Sequence, residues 1–137
     1  MEKLVNILLV EDDEVDVMNV KRAFKKGNVS NPLFVANNGI EALKILEDNT
    51  MANPKIILLD LNMPKMGGIE FLEVIRKNEE FKNISVFVMT TSNEESDKID
   101  AYNLNVAGYI LKPLSMDRFI EAVSILNNYW KLCEFPD

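Results

Sequence analysis

Three carboxylates stand at the ends of the two most hydrophobic stretches of this chain. Glu11 and Asp12 follow Ile7-Leu8-Leu9-Val10, and Asp60 follows Ile56-Ile57-Leu58-Leu59. An apolar run of that length reads as a strand buried on both faces. A carboxylate at its tip sits where the backbone leaves the core, so it is held rigidly yet can reach water and ligands. If the two strands are neighbours, three negative charges meet at one sheet edge. At roughly 5 Å and an effective dielectric near 20, each pair repels by about 3 kcal/mol. Such a cluster calls for a bound cation, a raised pKa or a function that uses the charge. Two further polar residues end apolar runs, Thr90 after Val86 to Met89 and Lys112 after Gly108 to Leu111. Singly, these residues read as helix caps, turn chemistry or solvated strand ends. Together they give four strands a polar group at one rim.

The elements that must carry these residues alternate along the chain. The spacing predicts strands over residues 5–10, 33–36, 56–59, 86–89 and 108–111. Between them lie stretches of helical periodicity: Glu14 to Lys26 behind a capping Asp13, with Val17, Val20 and Phe24 on one side, and a helix after the Asn37-Asn38-Gly39 turn, with Ala42, Leu43 and Leu46 inward. Gly27-Asn28 is expected to end the first helix. Pro54 breaks the chain before the third strand. Residues 62–68 form a loop by their Pro and Gly content. Helices over 69–77, with Leu72 and Ile75 buried, and 94–103 follow, and Pro113 stops the fifth strand. Ser115 caps a last helix reaching about Trp130. Five βα units imply an α/β fold, a doubly wound parallel sheet with helices on both faces. Ligands of such sheets bind at the carboxyl ends of the strands, where the acidic cluster lies.

Bulk properties exclude several function classes. With 137 residues, 47% hydrophobic and 27% charged, the chain suits one domain with one core. No apolar run approaches the ~20 residues of a membrane span, and residues 1–3 lead into a strand with no signal-peptide pattern. A lone Cys133 excludes an intrachain disulfide and fits a reducing cytoplasm. The net charge of −7 without a basic block argues against nucleic acid and anionic membrane surfaces. The absence of histidine excludes Ser-His-Asp and Cys-His catalysis, and also phosphate donation from a histidine of this chain.

Four strings, in order, carry a resemblance: ILLVEDD (7–13), LLDLNMPKMGG (58–68), VMTTS (88–92) and GYILKPL (108–114). With them the chain resembles the CheY-like receiver domains of two-component response regulators over residues 4–128. The resemblance implies a flavodoxin-like strand order 2-1-3-4-5. It makes Asp60 the phosphoacceptor and Glu11, Asp12, Asp60 and the Asn62 carbonyl the ligands of Mg2+. It gives Thr90 the contact to the phosphoryl group, Lys112 the pairing with the acceptor and then with phosphate, and Tyr109 the aromatic switch. The chemistry agrees: carboxylate, carbonyl and water oxygens are the hard ligands Mg2+ prefers. Phosphoryl transfer also needs mainly positioning and neutralisation of oxygen charge. Movement of Thr90 toward a phosphoryl group is expected to vacate space that Tyr109 fills by rotating inward.

This sequence departs from the family pattern in details. Glu11 replaces the more frequent aspartate, and Thr91 stands where a smaller residue is common. Ser92 offers no general base, so it and Asn62 leave the acyl-phosphate lifetime open. The whole is expected to be one receiver domain over 1–137 that is not a turnover enzyme. Without an effector domain, it reads as a stand-alone acceptor of phosphate from a sensor histidine kinase that signals by protein contact or relays to a histidine phosphotransfer protein. A Mg2+ phosphohydrolase is the first rival, although Asn62 stands where such enzymes of the haloacid-dehalogenase type use a second aspartate. A receiver-fold interaction module with a silent site is the second. In the tail (129–137), Leu132, Cys133 and Phe135 extend the apolar stripe of Phe119, Val123, Leu126 and Trp130. They either fold back on their own core or form, with helix five, the arm of a homodimer. The tail YWKLCEFP and the long loop after helix one resemble the single-domain regulators that partner bacterial phytochrome kinases.

Overall fold

A computed structural model describes residues 4–53, 55–112 and 115–135. Pro54 and Pro113, expected to delimit the third and fifth strands, lie outside the described residues, as do residues 1–3, Leu114 and the last two residues of the tail. The elements alternate: β1 (Asn6–Val10), α1 (Glu14–Lys26), β2 (Leu33–Ala36), α2 (Gly39–Glu47), β3 (Lys55–Leu59), α3 (Gly68–Arg76), β4 (Ser85–Thr90), α4 (Glu95–Asn103), β5 (Gly108–Leu111) and α5 (Met116–Leu132). The sheet order is β2-β1-β3-β4-β5 and every pairing is parallel. Both the element order and the flavodoxin-like topology match expectation.

The two-residue period of a strand sorts the apolar runs between two cores. Ile7, Leu9, Ile56 and Leu58 pack on one face with Val20, Ala23 and Phe24 of α1 and Phe119, Val123, Leu126 and Trp130 of α5. Leu8, Val10, Ile57 and Leu59 pack on the other with Ala42 and Leu46 of α2, Phe71, Leu72 and Ile75 of α3, and Ala101 of α4. Both faces are therefore dry, which is why β1 and β3 are continuously hydrophobic instead of alternating.

Local signals explain where helices start. Asp13 Oδ1 accepts from the Val15 and Asp16 amides at 2.8 and 3.2 Å. Asn38 caps α2 by accepting from the Glu41 amide at 2.9 Å, and Glu41 accepts in return from the Asn37 amide at 3.2 Å. Ser115 caps α5 through the Arg118 amide at 3.2 Å. At the end of α1 the left-handed residue is Asn28 (φ 56°), while Gly27 stays at φ −84°. The short Asn side chain tolerates that conformation.

The tail divides. α5 runs two residues past Trp130, whose ring is buried and whose Nε1 donates to Asn127 Oδ1 at 3.0 Å. Phe135 returns against the α1–α5 core, but Leu132 points outward with 86% of its surface exposed.

Candidate functional site

The parallel ladders continue one residue past the strands and draw the polar residues to one rim. The Glu11 amide donates to Ala36 O at 2.9 Å, the Asp60 amide to Val10 O at 3.0 Å and the Lys112 amide to Thr90 O at 2.8 Å. Backbone bonding of this kind fixes Glu11, Asp60, Thr90 and Lys112 on rigid strand ends. Asp12 begins the turn into α1. One oxygen from each of Glu11, Asp12 and Asp60 lies within 4.8 Å of the other two. Glu11 and Asp60 are buried and Asp12 is exposed, so the cluster opens to solvent on one side. A close set of hard oxygen donors with an open side fits a divalent cation that keeps part of its water shell.

The loop after β3 is shaped by close packing. The Asn62 amide donates to Asp60 Oδ1 at 3.3 Å, and the Gly68 amide to Leu61 O at 3.1 Å. A Cβ on Gly68 would stand 2.6 Å from Asp60 O and 2.7 Å from Leu61 Cα. Glycine is therefore required there for space, so that α3 can start against the backbone of the Asp60 turn. Lys65 adopts φ 65° in the same loop.

Lys112 is placed differently from expectation. Its Nζ donates to Glu11 Oε1 at 2.5 Å and to Asp16 Oδ2 at 2.7 Å, and its hydrogen bonds go to these two carboxylates instead of Asp60. Burial alone would lower the Lys112 pKa, but the hydrogen bonds to Asp16 and Glu11, with the charges of Glu11 and Asp60, more than offset it and leave it raised. Glu11 moves the other way for a carboxylate. Its burial outweighs the Lys112 hydrogen bond and the Asp60 charge adds repulsion, so its pKa rises to about 7. The two directions oppose each other, since a charged lysine favours a charged Glu11. Lys112 has a second, independent anion in Asp16, so it is the member that stays charged and Glu11 is the one that titrates. The repulsion anticipated from the three carboxylates is thus relieved partly by Lys112 and partly by a carboxyl that holds its proton more readily.

Thr90 is fully buried, and its Oγ1 accepts from the Ser92 amide at 3.3 Å. Ser92 ties several elements together. Its Oγ donates to Asp97 Oδ2 of α4 at 2.5 Å, and its carbonyl accepts from the Tyr109 hydroxyl at 2.9 Å. Tyr109 is half-buried and packs against the core beneath α2, α3 and α4. The Tyr109 hydroxyl is thus tied to the loop after β4 in this structure. Burial raises the Tyr109 pKa.

Sequence reasoning missed Asp16, Asp97 and Gly68. Asp16 and Asp97 read as first-turn helix acids, a pattern that the helix dipole explains by itself. Only the spacing of Asp16, four residues after Asp12, hinted that it shares the rim.

The sequence pattern described as "Response regulator receiver domain" matches residues 7–124. Among curated proteins, the response regulator Rcp1 of Synechocystis sp. is 34% identical over 128 residues, which cover 90% of this chain and 87% of Rcp1. The crystal structure of the phosphorylated cyanobacterial phytochrome response regulator RcpA superposes with a TM-score of 0.88 at 30% identity, covering 98% of this chain and 100% of that one. The Mn2+-bound form of Rcp1 gives 0.85 at 33% identity, with the same coverage of both chains.

Proposed function

The chain belongs to the response regulator receiver domain family, and from that premise we propose that it accepts a phosphoryl group on Asp60 from a sensor histidine kinase. The observation that carries the reading is the convergence of Glu11, Asp12 and Asp60 within 4.8 Å, with Lys112 bonded into the cluster. Glu11, Asp12, Asp60 and the Asn62 carbonyl would hold a divalent cation, Mg2+ in this proposal. That the similar Rcp1 has a Mn2+-bound form supports divalent-cation binding. When bound, the ion supplies positive charge that offsets the anionic phosphoryl oxygens and lets a carboxylate approach them.

The chain's own residues do the rest. An Asp60 carboxylate oxygen attacks phosphorus in line with the phosphohistidine bond of the kinase. An O–P bond forms as the P–N bond breaks, and the departing imidazole takes up a proton. Lys112 supplies a second positive charge, and the Thr90 hydroxyl and the backbone amides after Asp60 supply hydrogen bonds. The product adds roughly 1.5 to 2 negative charges at the rim. Thr90 and Tyr109 both bond to Ser92, so a shift of the Thr90 hydroxyl is felt at the Tyr109 hydroxyl and, through Asp97, at α4. That supports an output surface of α4, β5 and α5, where Tyr102, Leu111, Ile125, Tyr129 and Leu132 are exposed.

The proposal extends to one receiver domain over residues 1–137, acting in the cytoplasm as a stand-alone regulator or a relay to a histidine phosphotransfer protein. Among the described residues no helix is long and apolar enough to cross a membrane. Exposed Ile125 and Leu132 support a homodimer through α5 and the tail, and the likeness to phytochrome response regulators supports a phytochrome-type kinase as partner.

The test is phosphotransfer from candidate kinases, and from acetyl phosphate with Mg2+, to wild type and Asp60→Ala. Acid-labile label is expected on the wild type alone. Equal labelling of the alanine form removes Asp60 as acceptor, and an unlabelled wild type supports a silent interaction module. Sedimentation with and without beryllofluoride checks whether the dimer is linked to phosphorylation, which an unchanged mass would exclude.

A further inference from the structure

Lys112 Nζ is gripped by two carboxylates from the other end of the sequence, Glu11 on the β1 tip and Asp16 on α1. The Lys112 side chain is 4% exposed and that of Asp16 29%. Asp16 is therefore turned inward, although the first turn of a helix would favour an acid there equally well facing solvent. Asp13 already caps this turn, so the Asp16 carboxylate is not needed for that purpose. Its distinctive partner is the ammonium of Lys112, at a 2.7 Å charge-assisted bond.

We propose that Asp16 is a positioning residue that holds Lys112 in a withdrawn position, so that a phosphoryl group on Asp60 must compete with it for the ammonium. This rests on the reading of Asp60 as the phosphoryl acceptor. An ammonium has three donors on a flexible stem, so Nζ can swing between acceptors without backbone movement. A cation engaged by Glu11 draws on the same carboxylate that bonds Lys112, whereas Asp16 stands apart from the cluster of three and remains the dedicated counter-charge. Asp16 thereby acts on the two ligands of the site with opposite sign. Its negative charge favours the incoming cation, and its hold on Lys112 disfavours the anionic phosphoryl group.

Opposite signs give a test that a general loss of structure cannot imitate. In Asp16→Asn, calorimetric titration with Mg2+ in the absence of any phosphoryl donor is expected to show affinity weakened by about two- to threefold. Beryllofluoride at saturating Mg2+ is expected to bind about three- to tenfold more tightly, and the acyl phosphate to persist longer by a similar factor. Asp16→Glu, which restores the charge, returns both values toward wild type. Glu14→Gln removes an exposed charge from the same helical turn, among the acids that do not bond Lys112, and leaves both unchanged. A folded Asp16→Asn protein whose beryllofluoride affinity is unchanged or weaker overturns the proposal while Asp60 keeps its role. A wild type that binds no beryllofluoride and takes no label from acetyl phosphate overturns both.

Discussion

Replacing Gly68 by alanine puts a methyl group into space held by the backbone of the Asp60 turn. The added Cβ would meet Asp60 O at 2.6 Å, Leu61 Cα at 2.7 Å and Leu61 Cδ2 at 2.8 Å, where ordinary contact begins at 3.4 Å. Two of these atoms are backbone, so no rotamer change relieves the overlap. Either α3 lifts or the Asp60–Leu61 segment moves, by roughly 0.8 Å at the tightest contact. Overpacking of this kind costs typically about 1–3 kcal/mol. Because Asp60 is the displaced residue, chemistry should suffer beyond stability: a misplacement near 1 Å can cost on the order of 100-fold in rate. Gly39→Ala is the matched control. Its three nearest contacts would be Met66 Cγ at 2.6 Å, Sδ at 2.8 Å and Cβ at 2.9 Å, so the thioether can swing but the Met66 segment must also give, and the strain falls there instead of on the Asp60 backbone. Urea denaturation and the rate of labelling by acetyl phosphate at saturating Mg2+ measure the two effects. Gly68→Ala is expected to lose about 2 kcal/mol and at least tenfold in rate, Gly39→Ala a similar amount of stability with little change in rate. A Gly68→Ala protein with wild-type stability and labelling would refute the claim that α3 is built on the Asp60 backbone.

Three further outcomes follow from the same contacts. The Glu11 carboxyl titrates near 7 when folded against 4.5 unfolded, so its contribution to stability is complete below the lower value and lost as pH rises through the upper one. In chelator, unfolding free energy should therefore fall between about pH 5 and pH 8 by on the order of 1 kcal/mol more in wild type than in Glu11→Gln; identical slopes would contradict the shift. Arg76 Nε donates to Leu104 O at 2.7 Å, Nη1 to Lys82 O and Ile84 O at 2.9 and 2.8 Å, and Nη2 to Asn105 O at 3.2 Å. An ammonium cannot reproduce that fork, so Arg76→Lys should lose about 2–3 kcal/mol by denaturant titration, and a loss under about 0.5 kcal/mol would show the clamp to be idle. Trp130→Ala should cost about 3–5 kcal/mol because the ring belongs to the α1–α5 core, whereas Leu132→Ala should be neutral to monomer stability.

How much was legible differs between fold and site. The strand and helix boundaries agreed to within two residues, because apolar runs and capping residues are local signals. The acidic rim was legible because carboxylates ended two runs that had to be buried on both faces. Asp16 was not, since its first-turn position is explained equally well by the helix dipole. Nor was the Ser92 junction, because a serine after a strand reads as turn chemistry.

The sequence by itself determined the order of elements, the two-sided burial of β1 and β3, and the collection of Glu11, Asp12, Asp60, Thr90 and Lys112 at one rim. Those follow from periodicity and from the one-handed crossover of parallel strands. The tertiary structure alone decided which charges touch. Lys112 lies 101 residues from Glu11 and 96 from Asp16, and its partner depends on ångström-scale placement of a strand end against a helix start. Hydrogen bonding and burial vary over that scale, while sequence spacing fixes position only to within about a residue. The same limit hid the Gly68 contact and the Tyr109 hydroxyl bond, which short-range packing sets.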